Sequence, residues 1–175
     1  MTTKTNRRSY DARLEIIDAI LASHATSRVL KNKSDIKRYL QQYFVNVPYE
    51  DLAGRDVAIM ARIALDHLEY GAQRRRGEAL LRIFNANEKE HGYSSGFTFV
   101  EMVNDDMPFL VDSVAAAINR QNLAVHITVH PIIAAKRVNG GKLVAVTKPD
   151  HPDAYSESFI RFAISRTTDE KVIKA

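Results

Sequence analysis

Apolar residues recur at helical spacing in the first half of the chain and at strand spacing in the second. From about Asp11, the residues Leu14, Ile16, Ile17, Ile20 and Leu21 mark one helical face, with Ser9 or Asp11 available as a cap. Ser34 opens a second helix through Ile36, Tyr39, Leu40 and Tyr43, which Val47-Pro48 stops. Residues 48–54 predict one short helical turn. Asp56 is then placed as N-cap of the longest helix. Its stripe is Val57, Met60, Ala61, Ala64, Leu65 and Leu68, and Gly71 ends it.

The period then changes. Residues 79–87 read as a strand, 88–96 as a polar loop and 97–104 as a second strand. A helix is expected from Pro108, with Leu110, Val111, Val114, Ala117 and Ile118 on one face and Asn122 as its stop. Residues 124–130 alternate as a half-buried strand should. Asn139-Gly140 predicts a hairpin between residues 132–137 and 142–146. A loop with Pro149 and Pro152 leads to a last strand over 159–164, and Thr168 starts a helix that the chain leaves unfinished at Ala175. That unfinished helix predicts a piece of a longer polypeptide.

A strand–helix–strand unit requires a right-handed crossover and is expected to place its helices on one face of the sheet. Val125, Ile127 and Val129 would face those helices with Ile160, Phe162 and Ile164, while His126, Thr128 and His130 would face away. The expected fold is α+β. A helical N-terminal segment (residues 1–77) precedes a ferredoxin-like βαββ(β)α sandwich (78–175), its sheet antiparallel or mixed and its last helix truncated.

Composition narrows the chemistry. The 175 residues are 45% hydrophobic and 26% charged, which are globular proportions. With no cysteine, disulfides, thiolate zinc sites, iron–sulfur clusters and a cysteine nucleophile are excluded. No apolar run approaches the roughly 18 residues of a membrane span. The polar start lacks a secretory pattern, so a cytoplasmic location is expected. The net charge of +4 arises wholly before residue 98, where 16 basic residues meet 12 acidic ones; the remainder carries 9 of each. Arg74-Arg75-Arg76 and the 31–38 cluster are read as solvated surface.

Three patterns invite a chemical reading. His126 and His130 lie on a strand, which separates them by roughly 13 Å, too far to share a metal ion. Gly96, Phe97, Phe99 and Val100 echo an RNA-recognition strand, but its leading basic residue and final aromatic are missing, so no nucleic-acid partner is assigned. No glycine-rich phosphate loop follows any strand, and residues 139–141 read as a hairpin turn, so no dinucleotide site is assigned.

The segment Asn104-Asp-Asp-Met-Pro-Phe-Leu-Val-Asp-Ser-Val114 resembles a signature of the large NAD-specific glutamate dehydrogenases of bacteria. Residues 43–52, 126–133 and 157–166 are similar to that family too, so the likeness spans roughly 40–175. The resemblance implies an N-terminal regulatory region built of modules like ACT domains, with the dehydrogenase domain far downstream. It implies a parent that oxidatively deaminates L-glutamate to 2-oxoglutarate and ammonia while reducing NAD. No catalytic, cofactor or metal residue is then expected in this chain. ACT domains hold a free amino acid at an Asp-x-Pro-Gly turn before a helix, which marks Asn104, Asp105, Asp106, Met107, Pro108 and Phe109 as the candidate effector site. Asp106 and Pro108 match that turn; Phe109 stands where the glycine would be. His126, Thr128 and His130 are the candidate interface toward other modules or subunits of a homo-oligomer. The alternatives are a purely structural oligomerisation domain and an RNA-binding module.

Overall fold

The computed structural model describes residues 14–15, 17–22, 27–52, 54–138 and 140–173. The caps expected at Ser9 or Asp11, Ile16 of the first stripe and Asn139 of the hairpin lie outside them. Residues 17–22 are helical, followed by α1 (Lys33–Phe44), α2 (Tyr49–Leu52) and α3 (Val57–Tyr70). Asp56 caps α3, its Oδ1 accepting from the amides of Ala58 at 2.7 Å and Ile59 at 3.2 Å. Asn32, not Ser34, holds the cap position of α1.

Strand β1 (Leu80–Asn85) is followed by a helical turn, α4 (Glu88–His91), where a polar loop was expected. Asn87 accepts from the Glu90 amide at its start, and Gly92 closes it at φ 75°. Strand β2 (Phe97–Asp105) leads to α5 (Leu110–Arg120), then β3 (Val125–Val129), β4 (Ile132–Arg137), β5 (Leu143–Val146), β6 (Tyr155–Ser165) and α6 (Glu170–Ile173). Helix α5 begins two residues later than expected. Phe109 occupies its cap in the left-handed region, which leaves Pro108 outside the helix.

Every pairing in the sheet is antiparallel, in the order β1–β2–β6–β4–β5. Strand β6 is the axis. One edge pairs along its length with β2, and the other takes β4 near its start and β3 near its end. His130-Pro131 breaks the run between β3 and β4, as proline has no ladder N–H, and the Pro131 carbonyl accepts from the Phe159 amide. Strand β2, helix α5 and β3–β4 thus form a β-α-β unit with β6 inserted between its parallel strands.

The expected one-sided arrangement does not hold, because both faces of the sheet are covered. Helix α5 packs through Ile118 on Val100, Met102, Ile160, Phe162 and Ile164. The helices of the first half cover the opposite face, where Tyr39, Leu40, Leu65 and Leu68 share one core with Val103, Ile133, Leu143 and Phe159. Strand β6 is therefore buried at every position from Glu157 to Ile164. Gln42 on α1 fastens the layers, donating to the Thr147 carbonyl and accepting from the Ala134 amide.

Burial alternates along β3 as expected, but Val125, Ile127 and Val129 do not share one face. Its register slips at His126, so that Val125 faces Ile164 while Ile127 faces Ala163. Val125 then packs with the α5 cluster. Ile127 and Val129 turn to the other face, against Ala163 and the helical core respectively.

Candidate functional site

The chain leaves β2 at Asp105 and enters α5 at Leu110, so the turn between them sits at the N-terminus of an 11-residue helix. Its base is a buried ion network. Asp105 and Glu157 are direct cross-strand neighbours, an unfavourable pairing of like charges unless a cation intervenes. Arg74 intervenes, reaching Asp105 at 2.6 Å and Glu157 at 2.8 Å, and Arg137 grips both oxygens of Glu157 at 2.7 Å. Burial pulls the Asp105 carboxyl upward, but hydrogen bonds from Arg74 and the Gly77 amide outweigh it and hold that group below its ordinary value. Arg74, expected as part of a solvated linker, is only 1% exposed. Arg75 and Arg76 do face solvent, with Arg76 over the Tyr155 ring.

The next carboxylate is drawn sideways. Asp106 accepts from the Ser158 hydroxyl at 2.6 Å, that hydroxyl lies 3.1 Å from His130 Nε2, and the Asp106 amide donates to the Ser156 carbonyl. His130 is thereby joined to the turn, whereas His126 sits at the far end of β3 against Ser165, and Thr128 between them is exposed. Asn104 leans on the Met107 sulfur. Met107, Pro108 and Phe109 form the exposed tip, with Phe109 77% exposed at φ 65°.

No side chain caps α5. The first amides of a helix have no partner within it and carry the positive end of its dipole. With Asp105 held by Arg74 and Asp106 by Ser158, neither carboxylate fills that position. The arrangement is a helix end without a side-chain cap, with Asp112 in its first turn, beside a carboxylate and an imidazole.

Residues 39–175 match the family described as glutamate dehydrogenase, ACT1 domain. The chain belongs to this family. It is 31% identical to the NAD-specific glutamate dehydrogenase of Halomonas elongata over 159 residues, which cover 89% of the chain and 10% of that protein. It is 24% identical to the NAD-specific glutamate dehydrogenase of Pseudomonas aeruginosa over 161 residues, covering 91% of the chain and 10% of that protein. The chain thus spans about a tenth of the length of these curated relatives. No solved structure gives a significant match.

The ACT1 match begins inside α1 and takes in α3 together with the sheet. Its middle holds charges that sequence reasoning missed. Glu101 on β2 is fully buried between Arg161 at 2.9 Å and Arg82 at 2.6 Å, and Arg82 also binds Asp66 of α3. Burial favours a protonated Glu101, yet His67, Arg161 and Arg82 outweigh it and lower its pKa. His67 beside them is lowered to about 4, chiefly by burial, and shares a contact with the Tyr43 hydroxyl. The available signal was one charge inside each of two apolar runs, Glu101 within 97–103 and Arg161 within 159–164. Phe97 and Phe99 of the ACT1 domain do not form a base-stacking platform, because Phe99 is buried against Tyr93, Ala163 and the Arg161 guanidinium. Among the described residues, no helix is long and apolar enough to cross a membrane.

Proposed function

We propose that this chain is a regulatory and assembly module of a large NAD-dependent glutamate dehydrogenase, in its N-terminal region, and that it senses a free amino acid. The inserted β-α-β unit supports a ferredoxin-like, ACT-type reading of the α+β fold, with the helices of residues 1–77 as a lead-in to the sheet domain of 78–175. In this reading the parent converts L-glutamate and NAD to 2-oxoglutarate and ammonia in the cytoplasm, and the chain supplies control. NAD finds no cradle at Gly140-Gly141: a Cβ on Gly141 would meet the Arg74 carbonyl oxygen at 2.3 Å, so that backbone closes on protein.

One observation carries the sensing role, the uncapped N-terminus of α5 from which both neighbouring acids are turned away. The effector carboxylate docks on the first amides of α5, and its ammonium group faces Asp106, with Asn104, Met107, Pro108 and Phe109 forming the rim. His126 and Thr128 lie on the surface toward neighbouring modules or subunits of a homo-oligomer. The effector shifts the assembly by its difference in affinity for two arrangements.

Thermal melts of the chain with each of the common amino acids at millimolar concentration test this reading. A ligand of the folded state raises the midpoint. An unchanged midpoint with every one would sink sensing and leave the second reading, a structural assembly domain, which the exposed Phe109 ring favours.

A further inference from the structure

Between the helices of the first half and the sheet lies a cavity of about 220 Å³. Phe44, Leu52, Ile63, Phe99, Ile127 and Ala163 give it apolar walls, and it opens toward solvent at Asp51, Arg55, Ile59 and Ser94. An apolar cavity of roughly 150 Å³ stays dry and accepts a benzene-sized guest, so this one has room for a branched or aromatic side chain. The charge in its wall is already answered: Arg161 is spent on Glu101, the Tyr93 hydroxyl and the Ile63 carbonyl. The interior therefore offers shape and apolar surface.

The mouth differs. Asp51 in α2 and Arg55 in the turn that follows it both line it. The Arg55 Nε donates to the Asp51 carbonyl, but among the described residues neither the Asp51 carboxylate nor the Arg55 guanidinium is paired with a side-chain charge. An arginine and an aspartate without side-chain ion partners at the mouth of an apolar cavity form a complement to a zwitterion with an apolar tail.

We infer that this cavity is a second ligand site, distinct from the α5 turn, that takes a free amino acid with a bulky apolar side chain. Arg55 holds the α-carboxylate, Asp51 the α-ammonium, and the side chain fills the space between α3 and the sheet. Bound there, the ligand touches both layers of the fold at once.

Isothermal titration of the chain with leucine, phenylalanine, alanine and 4-methylpentanoate tests the assignment, using the wild type, Arg55→Ala, Asp51→Asn and Asp106→Asn. The expected result is saturable binding of leucine or phenylalanine and none of alanine. Loss of either charged contact at the mouth weakens it by about ten-fold, while Asp106→Asn leaves it in place. Binding that survives both mouth substitutions, that 4-methylpentanoate reproduces at equal strength, or that only Asp106→Asn removes overturns the proposal; the last of these assigns the ligand to the turn instead. Absence of any binding by a bulky apolar amino acid also overturns it and leaves the turn to be judged on the polar amino acids.

Discussion

Glu101 and Arg161 stand directly opposite each other on β2 and β6, 2.9 Å apart, with side-chain exposures of 0% and 4%. This pair lies under α3, where Arg82 joins Glu101 to Asp66. Charge is thereby built into the contact between the helical layer and the sheet. Removing one partner of a buried pair leaves the other uncompensated, which is far costlier than replacing both.

Glu101→Gln is accordingly expected to lower the stability of the chain by about 3–5 kcal/mol, since it strips the shared anion from two arginines. The double substitution Glu101→Gln with Arg161→Met should recover part of that loss. Urea denaturation measures both. A single substitution within about 0.5 kcal/mol of wild type would show that the pair is not buried as described.

Burial holds His67 neutral by lowering its pKa from 6.5 to about 4. The unfolded chain takes up that proton first as pH falls, so the unfolded state binds more protons between about pH 6.5 and 4. Stability therefore drops through that window, by roughly 3 kcal/mol in total, and this contribution levels off below it. The lowered Glu101 adds a further loss, beginning only below its ordinary value of 4.5. Denaturation midpoints across pH 4–7 should show the slope in wild type and a flatter line in His67→Gln. An equal slope in both would assign the effect to another group.

Phe109 holds a left-handed backbone at φ 65° with its ring 77% exposed. That conformation costs a non-glycine residue about 1–2 kcal/mol, and an exposed ring returns little of it. Phe109→Gly relieves the strain but frees the unfolded chain, so a net gain of roughly 0.5–1 kcal/mol is expected. Equilibrium unfolding reads it directly. A loss exceeding about 1 kcal/mol would mean that the ring is held by contacts within the chain.

Gly141 lies at φ +91°, and a Cβ there would sit 2.3 Å from the Arg74 carbonyl oxygen. Gly141→Ala must displace the segment that positions Arg74, and with it the bridge between Asp105 and Glu157. A loss of at least about 2 kcal/mol is expected. A heteronuclear spectrum should show shifts reaching Asp105 and Gly77; changes confined to the hairpin would contradict the link between hairpin and turn.

Much of the element order could be read from the chain. Asp56 capped its helix as expected, and Asn122, the expected stop of α5, lies just past its end at φ 57°. The alternation in β6 was only half legible: Ile160, Phe162 and Ile164 announced one buried face, but Phe159, Arg161 and Ala163 are buried too. The run 159–164, apolar but for Arg161, fits cover on both faces but does not say which elements supply it. The slip at His126 was hidden for a related reason, because a one-residue bulge leaves the sequence alternation intact while reversing the faces. At the turn, the Asp-x-Pro pattern and the helix start were visible in the sequence. The partners that draw its acids aside were not, since Arg74 and Ser158 come from distant positions.

Amide hydrogen exchange at Leu110, Val111 and Asp112 tests the sensing role most directly, measured with and without an amino acid that raises the melting midpoint. The turn site predicts that this ligand protects those three amides, and that Asp106→Asn reduces the protection. Ligand-induced stabilisation with unchanged exchange at Leu110–Asp112 would contradict it.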